Sequence, residues 1–500
     1  MPLVPRPAAL RRAVRAGASG ATRMVRVLRP PSSALDMSVA RAARGLWNLG
    51  IRPGHRVAVI APARPETTVA VGAIWRIGAV AVLLDPTSTA RELRRVVEDH
   101  APSAAVVDPR SRAALLALPP DLAPKAAILL PPRVTVRLAQ AVSRGTPPIE
   151  DPAEDRLIPW SRVVGSVPLD PHHPLPGPRD LAVLQYEPGP GGAVFASKLT
   201  HENLYAWAQA LEDLIDAPGA DVISLLPLQE ATGLLTQLAL PLLRGHRCLA
   251  PRRVDRAAAL LQRASGGVLC ATAGQLTALD ALLPPDRRAV HRVVLLGADE
   301  PAAEVLTAWQ RRSDRPVTRA LVRAESGVTL TAVLEPAADP LAATPTPAPT
   351  GPTRWRVPHG CSLQVDEDGW LSIHGAQVFH GYWQRPDETA LMLSGDGWAR
   401  TGDRVHRLAG DDALDLIRPR YTAVTGDGEV LSPREVAHVL AAHPDVVDAQ
   451  VEVRGSPDGG SCLAASVTVR EGSGLSLAEV ERHLARRLSP SKRPRHLTLR

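Results

Sequence analysis

The feature that most constrains the fold is a regular alternation of helix-like and strand-like patterns near the start of the chain. Between residues 34 and 108, a segment with apolar residues at helical spacing is followed three times by a short apolar run bounded by turn residues. Alternation at this rhythm predicts a parallel, doubly wound α/β sheet. The predicted helix and strand pairs are 34–49 with 57–60, 69–77 with 80–84, and 90–100 with 104–107.

Length and composition set the broad class of the protein. A chain of 500 residues is too long for one ordinary core, which predicts two or more domains. The net charge of +7, from 58 basic and 51 acidic residues, is spread thinly and at most favours an acidic partner. Aromatic residues make up only 3% of the chain and do not interleave with basic clusters, so we expect no nucleic-acid platform.

Residues 1–33 are basic, and no acidic residue precedes Asp36. They include no apolar stretch of the length that a bilayer span needs, so we predict a poorly ordered leader or a solvated basic helix, and no transmembrane segment.

The four cysteines lie far apart, without metal-ligand spacing or the density of a disulfide framework. They favour a cytoplasmic location.

The α/β pattern continues to about residue 297, and different patterns follow it from residue 354 onward. Residues 147–179, rich in proline and histidine, are predicted to be a linker or surface excursion. Strand-like runs resume at 181–185, 221–226, 247–250, 267–270 and 293–297, and a Pro/Ala/Thr loop occupies 335–353. Short strands with glycine turns over 354–403 predict a small barrel-like or antiparallel piece. After residue 412 the pattern predicts a small α+β domain, with helices 432–443 and 477–488 and strands 446–453 and 463–469.

Two neighbouring segments carry the most specific signal, GYWQRPDETA (381–390) and GWARTGD (397–403). Turns at Gly397 and Gly402 are predicted to present Asp403 at a loop edge. There Asp403 is either an ordinary turn aspartate or a carboxylate that accepts hydrogen bonds from the two hydroxyls of a ribose. At this spacing the segments resemble the late core motif of the adenylate-forming superfamily, which includes acyl-CoA synthetases, adenylation domains of peptide synthetases and luciferases.

Other segments extend the resemblance from about residue 34 to the end of the chain. They are LGIRPGHRVAVIAPARPE (49–66), RIGAVAVLLDP (76–86), SPREVAHVLAAHPDVVDAQV (432–451) and LSPSKRP (488–494). The resemblance implies a large AMP-binding amino-terminal domain over 34–415 and a small, truncated AMP-binding cap domain over 416–500.

The resemblance also implies an activity. Members of the superfamily use ATP and Mg²⁺ to convert a carboxylic acid to an acyl-adenylate, and then transfer the acyl group to the thiol of CoA or of a carrier phosphopantetheine. This chain looks most like the fatty-acyl-CoA ligases. We therefore expect a small carboxylic acid, foremost a fatty acid, as substrate, with an acyl carrier protein as the alternative to CoA.

Candidate residues follow from the resemblance position by position. Glu325 is the implied metal ligand and a catalytic carboxylate, and Arg418 the implied catalytic cation. The alternatives are a loop glutamate paired with Arg323 or Arg319, and an exposed hinge charge. The implied nucleotide contacts are Asp403, Thr401, Gly297, Ala298, Gly189 and Gly192.

The phosphate-binding loop departs from the superfamily pattern. Where relatives have hydroxyl residues and a lysine, this chain has Glu187, Pro188, Pro190, Gly191 and Phe195, and proline lacks a backbone donor. The tyrosine that stacks on adenine is absent, and the chain ends at Arg500 before the terminal lysine motif of the superfamily. Two hypotheses stay open: an impaired ligase, and a catalytically silent relative that binds an acyl group, a nucleotide or a carrier protein.

Overall fold

The computed structural model describes residues 34–132, 157–188, 193–217, 219–263, 266–284, 290, 292–297, 302–313, 316–334, 353–408, 412–418, 424–456 and 460–500. The described residues fall into two compact units. The amino-terminal unit contains residues 34–184 with 484–490, and the carboxy-terminal unit contains the described residues of 185–483 with 491–500. The predicted leader (1–33) and nearly all of the predicted loop 335–353 lie outside the described residues.

The amino-terminal unit is built on a parallel sheet. Its strands are β1 Arg56–Ile60, β2 Val80–Leu84, β3 Ala104–Val107, β4 Ala126–Leu129, β5 Leu157–Pro159 and β6 Leu181–Pro188. They lie in the order β5-β4-β3-β1-β2-β6, and each neighbouring pair is parallel. Because β2 and β3 flank β1 on opposite sides, the sheet is doubly wound, and the sequence prediction is confirmed.

The helix predicted at 90–100 begins and ends where the sequence predicts, whereas the helix predicted at 69–77 begins four residues earlier, at Pro65. Ala90–His100 starts at Thr89, whose side chain accepts from the backbone N–H of Glu92 while Glu92 accepts from that of Thr89, a capping box. It ends at Ala101, which adopts a left-handed conformation with φ of 43°. The other helices are Ala34–Asn48, Pro65–Arg76, Arg112–Leu116 and Trp160–Val164.

The predicted linker at 147–179 is wrong for residues 157–164. Leu157–Pro159 pairs in parallel with β4 as strand β5, and Trp160 and Val163 of the following helix are buried. The helix packs so closely on Ala34–Asn48 that a Cβ at Gly45 would lie 2.2 Å from the Val163 carbonyl oxygen. Three apolar side chains, those of Leu157, Trp160 and Val163, are buried at this edge of the sheet. So few apolar residues do not give a recognisable pattern in a proline-rich segment. Residues 147–156 lie outside the described residues.

The carboxy-terminal unit contains a second, mixed sheet. Its strands are β8 Val222–Ser224, β9 Cys248–Leu249, β10 Val268–Ala271, β11 Arg292–Leu296, β12 Thr318–Arg323 and β13 Gly327–Val333, in the order β13-β12-β11-β10-β8-β9. All neighbours are parallel except β12 and β13, which form an antiparallel hairpin. Strand β7 (Val194–Thr200) lies next to β6. Helices of the unit are His201–Ile215, Ala231–Leu234, Val254–Leu261, Ala273–Asp280 and Ala303–Arg312, and Ala231–Leu234 continues as a π-helix, Leu235–Arg244.

A four-stranded antiparallel sheet confirms the small antiparallel piece predicted for 354–403. It consists of β14 Ser362–Val365, β15 Trp370–His374, β16 Ala399–Arg407 and β17 Leu414–Arg418, with the helix Pro386–Met392 between β15 and β16. The segment that follows β15 is tied to the helix His201–Ile215. Trp207 Nε1 donates to the Gln377 carbonyl oxygen at 2.8 Å, and Asn203 Nδ2 donates to that of Val378 at 2.9 Å.

The end of the chain forms the predicted small α+β piece. Strands β18 (Val446–Gly455) and β19 (Ser461–Val469) are antiparallel, and β20 (His496–Leu499) adds to β19 in parallel. The helices are Pro433–Ala441, Leu477–Ala485 and the short 3₁₀ turn Pro490–Lys492. The division into domains at 415/416 stays a prediction. Among the described residues, no helix combines the length and apolar character that a bilayer span requires.

Candidate active site

Parallel strands place the candidate site at one edge of the second sheet. Strands β11 and β12 end side by side there, which is where ligands bind in open α/β sheets. A cavity of about 50 Å³ lies at this edge, with room for about four water molecules. The ends of β11 and β12, the start of the Ala231–Leu234 helix, and a hairpin of the last domain line the cavity.

Asp403 lies inside strand β16, fully buried, and not at a loop edge as the sequence predicted. Gly402, with φ of 75°, creates an irregularity within the strand rather than a turn, and the pairing of β16 shifts register on both sides. The Thr401 hydroxyl accepts from the Asp403 N–H and donates to the Leu371 carbonyl oxygen, each at 3.0 Å. Arg323, also buried, donates from Nη2 to Asp403 Oδ1.

Glu325 occupies the tight turn between β12 and β13 and is 2% exposed. The Tyr382 hydroxyl donates to its Oε1 at 2.6 Å. The Tyr382 ring lies 5.2 Å from the Phe195 ring and 5.0 Å from the Phe379 ring, centroid to centroid. The carboxylate predicted to bind metal is therefore held by a tyrosine of the GYWQRPDETA segment.

The carboxylate set limits what metal the site can hold. Within the described ranges, no group of three or more His, Cys, Asp or Glu side chains is arranged to hold a metal ion. Mg²⁺ is usually bound through one or two carboxylates together with substrate phosphates. Glu325 therefore fits as a single protein ligand to Mg²⁺ that arrives with a phosphate.

Glu187, which the sequence analysis assigned to the phosphate loop, lies near the end of strand β6 and is held by two backbone amides. Its Oε1 accepts from Ala231 N at 2.8 Å, and its Oε2 accepts from Ala324 N at 3.2 Å. Ala231 begins a helix, where backbone N–H groups carry partial positive charge, and Ala324 lies in the turn beside Glu325. We call these two N–H groups the amide cradle. The side chain of Glu187 is 5% exposed, so the carboxylate fills the cradle from inside the protein.

The carboxyl group of Glu230 lines the same cavity as that of Glu187. Burial raises the pKa of Glu230 well above its ordinary value, and the negative charges of Glu187 and Glu429 raise it further. Lys492 acts in the opposite direction, and its Nζ lies 3.3 Å from Glu435 Oε2. The raised pKa favours the protonated, uncharged form of Glu230, so Glu230 adds little negative charge beside Glu187.

A hairpin spanning residues 424–430 closes the cavity and is called here the docked hairpin. Thr425 N donates to the Glu429 carbonyl oxygen at 2.8 Å, and Gly428, with φ of 94°, makes the turn. Thr272 Oγ1 donates to the Gly426 carbonyl oxygen at 2.6 Å, and Gln275 Nε2 donates to that of Asp427 at 3.0 Å. The hairpin is thus recognised mainly through its backbone.

The remaining predicted residues are described only in part. Gly297 follows β11 with φ of 138°, donates to the Ala320 carbonyl oxygen at 3.1 Å and lines the cavity. Arg418 is the last residue of β17, with its backbone opposite Arg404, and its side chain is outside the described part. Ala298, Gly189 and Gly192 lie outside the described residues.

Two residues of the site have a role that sequence reasoning missed. Arg323 was named only as an alternative partner of Glu325, and its guanidinium contacts Asp403, a contact that the sequence did not predict. Tyr382 belongs to the recognised GYWQRPDETA segment, but its contact with Glu325 spans 57 positions of sequence. Strand β12 belongs to one sheet and β16 to another, so neither contact could be predicted from a local pattern or from strand order.

Comparison with known proteins agrees with this architecture. A family model described as AMP-binding enzyme matches residues 33–383. The long-chain-fatty-acid–CoA ligase of Yersinia pestis is 25% identical over 93% of this chain and 85% of its own, and the human mitochondrial malonate–CoA ligase is 26% identical over 89% and 79%. The solved structure of o-succinylbenzoate CoA synthetase from Bacillus subtilis superimposes with a TM-score of 0.72 at 19% identity, covering 93% of this chain and 89% of its own. The family match spans more than half of the chain, and the protein therefore belongs to the AMP-binding enzyme family, with the fold of the adenylate-forming superfamily.

Proposed function

We propose that the protein is an acid–thiol ligase with an impaired first half-reaction. It would activate a carboxylic acid with ATP to an acyl-adenylate and transfer the acyl group to CoA or to a carrier phosphopantetheine. The observation that carries the proposal is the retention of Asp403 and Glu325, both buried and oriented by the protein, in a chain of the AMP-binding family. The relatives named above act on acids as different as long-chain fatty acids and malonate, and a fatty acid is our first choice of substrate.

Each retained group has a chemical task in this reaction. The Asp403 carboxylate would accept hydrogen bonds from ribose hydroxyls, in exchange for part of its contact with Arg323. Thr401 supports Asp403 by fixing its backbone N–H. Gly297 and Ala298 would offer backbone groups to the adenine, Gly189 and Gly192 would turn amides toward phosphate, and Arg418 would stabilise charge. When bound, Mg²⁺ would neutralise phosphate charge next to Glu325.

The impairment follows from the phosphate side of the site. Adenylation builds negative charge on the α-phosphate and the departing pyrophosphate, and one lost preorganised donor commonly costs about 10²–10³-fold in rate. Phe195 stands at the position of the loop lysine, half-buried against Tyr382, and offers no charge. Glu187 adds a negative charge nearby. Transfer of an acyl group from a preformed adenylate to a thiol depends less on these groups.

A silent binding protein is the second candidate. The occupied amide cradle and the Arg323–Asp403 ion pair favour it, because both contacts satisfy the site without a ligand. In that case the protein would bind an acyl group, a nucleotide or a carrier partner and would catalyse neither half-reaction.

Measuring the two half-reactions separately on one preparation tests the proposal. We expect acid-dependent ATP–pyrophosphate exchange well below about 1 s⁻¹, the low end of ordinary turnover, and measurable thioester formation from a supplied acyl-adenylate. The Phe195→Lys variant should raise the exchange rate by at least about tenfold, because it restores one cation. The control variant Phe195→Leu should not raise it.

The possible results separate the candidates. Exchange at 1 s⁻¹ or faster in the wild-type protein would contradict the impairment. Failure of both half-reactions with every acid in a broad panel would support the silent protein. If the protein is active, whether or not its first half-reaction is impaired, Asp403→Asn should weaken AMP binding by about 1.5–3 kcal/mol, the scale of hydrogen bonds to a charged group.

A further inference from the structure

We propose that Glu187 determines which phosphate ligands the site accepts: its carboxylate occupies the amide cradle and excludes a polyphosphate, while a nucleoside monophosphate or an adenylate is still admitted. The inference rests on the proposed function in one respect, because it takes Asp403 as the nucleotide anchor. It adds that the Glu187 side chain discriminates between these ligands by itself, in addition to the effect of the lost loop lysine.

The geometry of the cradle is that of a site for one anion. Ala231 N and Ala324 N come from different elements, and each donates to a different oxygen of the same carboxylate. One donor is the first residue of a helix that continues for ten further residues as a π-helix, so its positive end faces the carboxylate. Two converging backbone donors of this kind bind carboxylate or phosphate oxygens equally well in chemical terms.

The charges around the cradle decide what happens when a second anion approaches. Glu187 and Glu230 line the same cavity, and after burial the charges of Glu187 and Glu429 raise the pKa of Glu230. The cations on this side already face carboxylates: Arg323 contacts Asp403, and Lys492 lies beside Glu435. A polyphosphate would therefore have to displace Glu187 from the cradle, and the displaced carboxylate would remain beside it.

A nucleoside monophosphate can bind without displacing Glu187 from the amide cradle. Its binding free energy can come from ribose contacts at Asp403 and from the adenine side at Gly297, which do not use the cradle. The binding preference should therefore change when Glu187 changes, while AMP affinity stays nearly constant.

The experiment measures binding of inorganic pyrophosphate and of AMP to the full chain by titration calorimetry. The variants are Glu187→Gln, which keeps the shape and removes the charge, and Glu187→Ser, which vacates the cradle. We expect each to bind pyrophosphate at least about tenfold more tightly than the wild type, a change of about 1.4 kcal/mol, with AMP affinity altered by less than about threefold. The control Glu429→Gln removes the same charge from the docked hairpin without touching the cradle, and pyrophosphate affinity should stay within about threefold.

Two results would overturn the inference. One is unchanged pyrophosphate affinity in both Glu187 variants that retain the wild-type melting temperature. The other is an equal gain in Glu429→Gln, which would show a general charge effect. If pyrophosphate affinity rises as expected but AMP binds to no variant, the proposed function fails while the role of Glu187 stands. If AMP binds throughout and pyrophosphate affinity does not change, only the role of Glu187 fails.

Discussion

At the scale of single residues, the charged side chains of the site form hydrogen bonds and ion pairs with other groups of the protein. Arg323 contacts Asp403, Tyr382 contacts Glu325, and Glu187 accepts from two amides. Buried charges of this kind are stable only when paired or hydrogen-bonded. A ligand must therefore replace existing contacts rather than fill an empty polar cavity. Its affinity depends on how much stronger its own contacts are than those it replaces.

The Glu230→Gln substitution tests the charge balance of the site through stability. A raised pKa means that the folded protein holds the Glu230 proton more tightly than the unfolded chain does. Its contribution to stability is then fully present below an ordinary glutamate pKa, about 4.3, and is lost as the pH rises through the raised folded value. Scanning calorimetry from pH 4 to 9 should show a smaller loss of melting temperature with rising pH in Glu230→Gln than in the wild type.

Glu367→Gln is the matched control for this experiment. Glu367 is exposed in the turn between β14 and β15, so its replacement should leave the pH dependence of the wild type. Parallel curves for all three proteins would contradict the assignment of Glu230.

At the scale of elements, the β12–β13 hairpin positions Glu325, the proposed metal ligand. Gly327 begins β13 with φ of 62°, and the Trp207 indole of the helix His201–Ile215 packs directly on it. The same indole donates to the Gln377 carbonyl oxygen. One glycine therefore allows a helix, a hairpin and the segment before Tyr382 to meet.

Replacing Gly327 with alanine should break this junction. A Cβ there would lie 2.3 Å from Trp207 Nε1, and the left-handed backbone is unfavourable for alanine. We expect urea denaturation to show a loss of at least about 2 kcal/mol in the free energy of unfolding. Gly472→Ala provides the comparison, because Gly472 has φ of 76° with nothing within 4 Å, and it should cost only about 1 kcal/mol. Equal losses in the two variants would show that backbone strain alone, without the Trp207 contact, sets the cost.

At the scale of the carboxy-terminal unit, the docked hairpin brings residues 424–430 to the site. Contacts from Thr272 and Gln275 to backbone carbonyl oxygens hold it, and Gly428 lies against Thr272, Pro227 and Leu226. Because a Cβ at residue 428 would lie within 3.4 Å of all three of these residues, the close approach favours glycine at this position.

Gly428→Leu should therefore undock the hairpin and leave the domain folded. A Cβ at this position would lie 3.1 Å from the Thr272 methyl carbon, and the rest of a leucine side chain has no room. Hydrogen exchange followed by mass spectrometry should show lost protection over 424–430 and retained protection in β18 and β19. Gly472→Leu, where the space is open, should keep protection in both regions. Retained protection over 424–430 in Gly428→Leu would contradict the docking role, and coupled loss in β18 and β19 would contradict a separate domain.

The sequence supported much of the fold and less of the site. Local patterns sufficed for β1 to β3 and their helices, because helical spacing and short apolar runs act over few residues. They failed at 157–164, where three buried apolar residues, Leu157, Trp160 and Val163, lie in a proline-rich segment. Asp403 was identified from its motif, but its burial was not, since a glycine with positive φ can make either a turn or an irregularity within a strand. The partners Arg323, Tyr382 and the amide cradle depend on contacts between distant segments, and a local pattern does not encode them.

The turn between β12 and β13 has a consequence that extends beyond its own contacts. Ala324 donates to Glu187 through its backbone N–H, and the side-chain carboxylate of Glu325, the next residue, accepts from Tyr382, so adjacent residues bear both interactions. We predict that a ligand that displaces Glu187 from Ala324 changes the conformational freedom of Glu325, the proposed metal ligand. Thermodynamic reciprocity then requires that a ligand on Glu325 alter the affinity of the cradle by the same factor. Affinity for an anion and affinity for its counterion would thus be coupled through two adjacent residues, and Tyr382→Phe should change both together.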